Sequence, residues 1–352
     1  MVTWPRTFSL GHTTIGDGRC FVIAEAGVNH NGRVDLAHAL IDVAAGARAD
    51  AVKFQTFVPD ELASPQASKA AYQAAQTGNS ESQLSMLRKL MLPRDAYVEL
   101  SAHAVERGLL FLSTAFDRGS ADLLVELGVT AFKVPSGEIT NFSLLSHLAG
   151  MKRPLLVSTG MTALPDVRAA VEHLSRQSAG QLALFHCVSS YPAPIEDCHL
   201  RAMDTMRREF HVPVGWSDHT QGMEISLAAV AAGAELLEKH FTLDRNMAGP
   251  DHAASLEPGE LAALVASVRR VETALGTAVK QVAPSEMDTA RVARRSLFIA
   301  RDLPAGHRLC PDDLVALRPG TGVSPARLES IVGRTLVEAA SAGQMLAEEQ
   351  IK

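Results

Sequence analysis

Apolar runs of strand length alternate with segments of helical period along most of this chain. The runs read FVIAEAG (21–27), AVKFQTF (51–57), LLFLSTAF (109–116), AFKVPSG (131–137), PLLVSTG (154–160), LALFHCVSS (182–190), PVGWSDH (213–219) and LLEKHFT (236–242). Each is bounded by Gly, Pro, Ser or Asp turn signals, which predicts eight strands. Between the first two, RVDLAHALIDVAAGARAD carries Leu36, Leu40, Val43 and Ala47 on one predicted helical face. PRDAYVELSAHAVERG, LPDVRAAVEHLSRQ and MEISLAAVAAG repeat the behaviour, with Pro93 suited to a first turn. Strand–helix alternation implies a parallel sheet with helices outside, and eight repeats imply an α/β fold of the (β/α)8 TIM barrel type. No GxGxxG follows a strand, which argues against a doubly wound dinucleotide-binding sheet.

Two stretches break the rhythm. The connection VPDELASPQASKAAYQAAQTGNSESQLSMLRKLML after the second run exceeds a normal βα loop, and its place predicts a lid over the barrel mouth. After PGELAALVASVRRVETALG the pattern changes again. The reading is a barrel domain over 1–276, a polar linker over 277–291, and a small β-rich module over 292–352, where SLFIA, LVAL and RTLVEA alternate with turns. A module of about sixty residues buries only a modest core, so it is expected to lean on something else, such as a second subunit.

Composition narrows the function classes. The formal net charge of −6 leaves no basic footprint for nucleic acid. No stretch is long and apolar enough to span a bilayer, and the N-terminal residues lack a signal-peptide pattern. Cys20, Cys187, Cys198 and Cys310 are scattered, without a CxxC pair, which favours free thiols and a cytoplasmic location.

Strand parity then collects the chemistry. Alternate side chains point into a barrel, so Phe21, Ile23 and Glu25 share a face, as do Lys53, Gln55 and Phe57. Gly215, Ser217 and His219 share one, and Glu238, His240 and Thr242 another. Charges converging at C-terminal strand ends require mutual pairing, a metal or an anion, and this is where such barrels keep their active sites. A lone histidine there reads as a turn or cap residue. Two on neighbouring strands, His219 and His240, read as a metal pair with open positions, suited to a Lewis-acid ion such as Mn²⁺ rather than to a closed zinc site. Lys53 and Lys133, with Thr114, Ser136 and Ser158, could hold a phosphate or carboxylate. Glu25 and Glu138 supply carboxylates for proton transfer or sugar hydroxyls. Tyr191 reads as a core or turn tyrosine about as well as a functional one.

At these residues the chain resembles a known family. AEAGVNHNG (24–32), VKFQTF (52–57), FKVPSGEITN (132–141), VSTGM (157–161), SSYPAP (189–194), WSDHT (216–220) and EKHFTLDRNMAGPDH (238–252) are similar to motifs of the sialic acid synthases. That family comprises N-acetylneuraminate, legionaminate and pseudaminate synthases. ARRSLFIARDLPAG and LRPGTGVSP resemble its C-terminal antifreeze-like (SAF) domain. The resemblance implies condensation of phosphoenolpyruvate with an N-acetylated mannose-type sugar to a nine-carbon 2-keto acid, with release of phosphate. It implies metal binding by His219 and His240, with Mn²⁺ expected and Mg²⁺ or Co²⁺ as alternatives. It assigns phosphoenolpyruvate to Lys53, Thr114, Lys133, Ser136, Ser158 and Ser217, and catalysis to Glu25, Glu138, His219 and His240. The acceptor sugar falls to Glu25, Glu138, Tyr191, Asp251 and, across a domain-swapped homodimer, Arg318.

Ser189 and Ser190 precede the Tyr-Pro pair where several neuraminate synthases carry an asparagine, and TGNSESQ and DRNMAGPDH look more like the legionaminate branch. Two other readings compete. A synthase of octulosonate or heptulosonate phosphates would need an arginine-rich site for a phosphosugar, and no arginine falls inside the eight runs. A non-enzymatic sugar- or ice-binding protein would leave Lys53, Glu25 and the histidine pair without a role.

Overall fold

The computed structural model describes residues 4–78, 80–177 and 179–352; Asn79 of the TGNSESQ stretch and the first three residues lie outside that range. The chain divides into two compact units, Met1–Gly276 and Thr277–Lys352.

The first unit opens with a hairpin, β1 (Phe8–Leu10) and β2 (Thr13–Ile15), paired antiparallel. Eight strands follow: β3 (Phe21–Gly27), β4 (Ala51–Thr56), β5 (Leu110–Ala115), β6 (Phe132–Val134), β7 (Leu155–Ser158), β8 (Leu182–Cys187), β9 (Val214–Asp218) and β10 (Leu236–His240). Each is parallel to its neighbour, and β10 closes on β3 to complete the barrel. The expected parity holds. Phe21, Ile23, Ala51, Leu112, Ala131, Leu156, Ala183, Phe185 and Leu236 fill the interior near the strand starts. The opposite faces, among them Val22, Val52, Phe54, Phe111, Phe132, Val157, Leu184, Trp216 and Leu237, pack under the helices.

The hairpin lies ahead of the eight predicted strands. Its Phe8, Leu10 and Ile15 belong to the same cluster as the barrel interior, so it plugs the bottom of the barrel. The signal was present: Phe8, Leu10, Thr13 and Ile15 alternate about Gly11, whose φ of 60° suits a tight turn.

The first barrel helix, Val34–Gly46, buries Ala37, Leu40, Ile41 and Ala44. This stripe is rotated from the expected 36/40/43/47 face. The alanines permit close approach to the sheet, while Leu36 and Val43 are left half-buried at the flanks. The long excursion after β4 is helical, with segments Pro59–Leu62, Ala71–Thr77 and Gln83–Leu90. Val28, Phe57, Met86 and Leu90 form a small apolar cluster that ties it to the barrel top.

In the second unit, β11 (Ser296–Ile299) and β12 (Leu314–Leu317) pair antiparallel. Leu297, Ile299, Leu303, Leu309, Val323, Ile331, Leu336, Ala340, Leu346 and Ile351 form its core. Asp313, fully buried, accepts hydrogen bonds from Arg301, His307 and the Cys310 amide. The stretch expected as a plain linker ends in a short helix, Met287–Ala293.

Candidate active site

Two residues beyond the last apolar inward position of each strand, the interior turns polar. The positions are Glu25, Lys53, Thr114, Lys133, Ser158, Cys187, Ser217 and Glu238, one from each of β3 to β10, and all line one cavity of about 410 Å³. One residue pair further on, Gln55, Ser189, His219 and His240 form the next layer of its wall. The step is a consequence of strand geometry alone: period two carries the same face from apolar floor to polar mouth.

The floor is a charge network. Lys53 Nζ lies 2.9 Å from Glu25 Oε2 and 3.7 Å from Glu238 Oε1, and donates to Thr114 Oγ1 at 2.8 Å. Lys133 Nζ donates to Glu238 Oε1 at 3.1 Å and stands 5.0 Å above the centre of the Phe185 ring. Ser217 Oγ donates to the same Glu238 oxygen at 3.1 Å. Glu238 is thus the hub, although the sequence pattern places it only on a face with His240 and assigns it no role. The signal was the Glu-x-His spacing within one strand, which parity turns to the same interior.

Burial and neighbours drive the two glutamates apart. Burial lifts Glu25, and the lowering influence of Lys53 does not cancel it, so its carboxyl rises to about 7. Burial acts the same way on Glu238, but Lys133 and Lys53 together outweigh it and bring it down to about 2. For Lys53, burial is overcome by Glu238 and Glu25, and its ammonium is held up; for Lys133, burial wins and the group is lowered. Asp251, also lining the cavity, is raised to about 6 by burial alone. The environment therefore pushes the two carboxyls apart in acidity, Glu25 upward and Glu238 downward.

The two histidines meet at the mouth with ring centres 5.5 Å apart. His219 Nδ1 donates to the Val188 carbonyl at 2.7 Å, which fixes the tautomer and leaves Nε2 as a lone-pair donor. Burial lowers His219 to about 4 and His240 well below its ordinary value, so both rings are neutral at pH 7. Nδ1 of His240 is buried without a hydrogen-bond partner. Gly27 lies against His240: its φ is 55°, and a Cβ there would come within 3.2 Å of the His240 ring. Among the described residues no group of three or more His, Cys, Asp or Glu has metal-binding spacing. A pair of neutral imidazoles with open positions remains, which fits a divalent ion completed by water or substrate oxygens.

Tyr191 packs against His219, with ring centres 4.1 Å apart, and Tyr72 of the excursion stacks on Tyr191 at 4.8 Å. Tyr72 and Gln73 thereby join the lining, although no role was expected for either. Ser136 Oγ accepts from the Gly160 amide at 2.9 Å beside the cavity. The six residues expected to hold phosphoenolpyruvate all line this cavity, as do Glu25, Tyr191 and Asp251. Glu138 does not. It sits half-buried in the turn Ser136–Glu138, where Oε2 accepts from Asn141 at 2.7 Å. Arg318 lies in the second unit, exposed, and its Nε donates to the Ala293 carbonyl.

Both units have counterparts among known proteins. The NeuB family matches residues 40–280, and the SAF domain matches 294–352. The chain is 45% identical to the N,N'-diacetyllegionaminic acid synthase of Legionella pneumophila, over 95% of each chain. It is also 45% identical to the N,N'-diacetyllegionaminic acid synthase of Campylobacter jejuni, covering 90% of this chain and 95% of that one. Among solved structures, the N-acetylneuraminic acid synthetase of Leptospira borgpetersenii in complex with citrate is 33% identical, with a TM-score of 0.71, over 82% of this chain and 96% of that one. The chain belongs to the NeuB family and carries a C-terminal SAF domain.

Proposed function

We propose that this protein is a synthase joining phosphoenolpyruvate to an unphosphorylated, N-acetylated mannose-type sugar, giving a nine-carbon 2-keto acid and phosphate. The carrying observation is the coincidence, in one buried cavity, of a lysine–hydroxyl floor and a histidine-pair mouth. The names of the relatives above support the same reading.

Lys53 and Lys133, with Thr114, Ser136, Ser158 and Ser217, would hold the phosphate and carboxylate of phosphoenolpyruvate. Its methylene carbon then faces the acceptor's aldehyde. Carbon–carbon bond formation leaves the enol carbon electron-poor; water adds there, and the tetrahedral carbon collapses with C–O cleavage to phosphate. Each step moves a proton. Glu25, near neutrality and within 3.3 Å of Gln55, is the group suited to exchange it, whereas Glu238 remains ionised between its lysines. His219 and His240 would hold a divalent ion, expected to be Mn²⁺, whose contribution when bound is to polarise the aldehyde oxygen.

The acceptor preference follows from the wall. Among the described lining residues the lysine and arginine side chains are Lys53 and Lys133 alone, both on the floor, so the cavity offers no second anion site for a phosphosugar. The upper wall carries Leu62, Met86, Leu87, Leu90, Tyr72 and Gln73. Apolar side chains there suit methyl groups, which favours 2,4-diacetamido-2,4,6-trideoxymannose over N-acetylmannosamine. We further propose that the enzyme works as a domain-swapped homodimer, with Arg318 reaching the partner's acceptor site.

Phosphate release from phosphoenolpyruvate, with Mn²⁺ and with each acceptor, tests this directly. Chelator-sensitive release, with kcat/KM higher for the diacetamido sugar, is the expected result. A better rate with N-acetylmannosamine would move the chain to the neuraminate branch. No release with either sugar from folded, metal-loaded protein would remove the synthase reading.

A further inference from the structure

Each histidine of the mouth is preceded by a charged residue, Asp218 before His219 and Lys239 before His240. Strand alternation turns these two outward, away from the cavity, and β9 and β10 pair so that Lys239 and Asp218 are register partners. Lys239 Nζ lies 3.1 Å from Asp218 Oδ2, and both side chains are 0% exposed. Among the described residues the other outward positions of the barrel strands carry no titratable side chain except His186, which burial shifts toward the neutral ring, and most are apolar.

The remaining contacts converge on the backbone around His219. Asp218 Oδ1 accepts from the amide of Thr220 at 2.8 Å and from its hydroxyl at 2.7 Å. Ser226 Oγ donates to Asp218 Oδ2, and Lys239 Nζ donates to the Thr220 carbonyl at 2.5 Å. The pair therefore clamps β10, immediately before His240, to the residues on both sides of His219. A buried ion pair is a weak source of stability, and well-packed apolar residues often replace it without loss. What it imposes is geometry, because its partners must meet at fixed distances.

We infer that Asp218 and Lys239 are positioning residues, a cross-strand clamp that sets the spacing and orientation of the two histidines for a single divalent ion. Neither touches the cavity. The inference rests on the metal reading given above, so its test carries a readout that needs no metal.

The full-length protein is compared with three variants, Asp218→Leu/Lys239→Met, Asp218→Asn and Lys239→Met. Thermal melting, the Mn²⁺ Kd from electron paramagnetic resonance of free Mn²⁺, and imidazole ¹⁵N–¹H spectra of the metal-free protein are recorded for each. The apolar double variant is expected to melt below wild type, because the Thr220 amide, hydroxyl and carbonyl and the Ser226 hydroxyl lose their partners, to bind Mn²⁺ about 10- to 100-fold more weakly, and to lose the single Nδ1–H tautomer of His219. Asp218→Asn keeps the size of the side chain and should weaken Mn²⁺ binding less; it decides the matter if the double variant does not fold. Wild-type Kd together with unchanged imidazole spectra in a folded variant would overturn the proposal and leave the pair a structural contact. If wild-type protein binds no Mn²⁺ while the variants' imidazole spectra change, the metal reading falls and the clamp stands as the determinant of histidine geometry.

Discussion

Glu238 is one strand residue serving two lysines from different strands, and its removal leaves both ammonium groups buried with reduced compensation. Glu238→Gln is therefore expected to destabilise the barrel by about 3–5 kcal/mol, the usual cost of breaking a buried pair from one side. Inorganic phosphate should restore part of the loss by occupying the lysines. Urea unfolding with and without phosphate measures both effects, and an unchanged midpoint would refute the hub role. Asp251 makes the opposite kind of statement. Its carboxyl is raised from 3.8 to about 6 by burial, so the folded state binds its proton more tightly than the unfolded chain does. That stabilising contribution is complete below the ordinary value and is lost as pH rises through about 6. At roughly 1.4 kcal/mol per pH unit it amounts to roughly 3 kcal/mol. Asp251→Asn should flatten the stability–pH curve over that window and leave the variant more stable at pH 7. A curve that keeps the wild-type slope would show that other groups produce it.

At the scale of elements, the strands were legible because short runs buried on both faces are apolar along their length and bounded by turn residues, and all eight observed barrel strands fall within the expected segments. The inward parity of Glu25, Lys53, His219 and His240 was legible because successive side chains of a strand turn to opposite faces. Three features were not. The β1–β2 hairpin is too short to outweigh its surroundings in a sequence pattern, and its role depends on the barrel floor it fills. The excursion after β4 reads only as a connection too long for a βα loop, yet its segments Pro59–Leu62 and Gln83–Leu90 gather at the Met86–Leu90–Phe57 cluster. Tyr72 has no local signature at all; its meaning comes from Tyr191, more than a hundred residues away in sequence. Tyr72→Ala is accordingly expected to raise the acceptor KM about 10-fold, a loss of roughly 1.4 kcal/mol, with the phosphoenolpyruvate KM within about two-fold of wild type. Steady-state kinetics with each substrate varied in turn separate the two, and a rise confined to phosphoenolpyruvate would place Tyr72 elsewhere in the reaction.

At the scale of the molecule, two units each have their own apolar core, and the swapped dimer proposed above predicts that one active site draws on two chains. Lys53→Met abolishes the floor and Arg318→Ala removes the proposed reach, so each variant alone should be impaired. Co-refolded in equal amounts, they should recover roughly a quarter of wild-type activity, since half the dimers are mixed and each mixed dimer contains one intact site. Absence of recovery, with mixed dimers demonstrated by mass, would exclude the swap. The barrel architecture, the inward set of charged residues and the pairing of His219 with His240 were written in the sequence alone. All of these depend on local period and strand parity, which one chain displays without its fold. The tertiary structure decided what depends on distance between strands. It made Glu238 the shared counterion, separated the two glutamates in acidity, left Glu138 outside the cavity lining and set Lys239 against Asp218. Such relations come from register and burial, and neither can be read from residues taken in order along the chain.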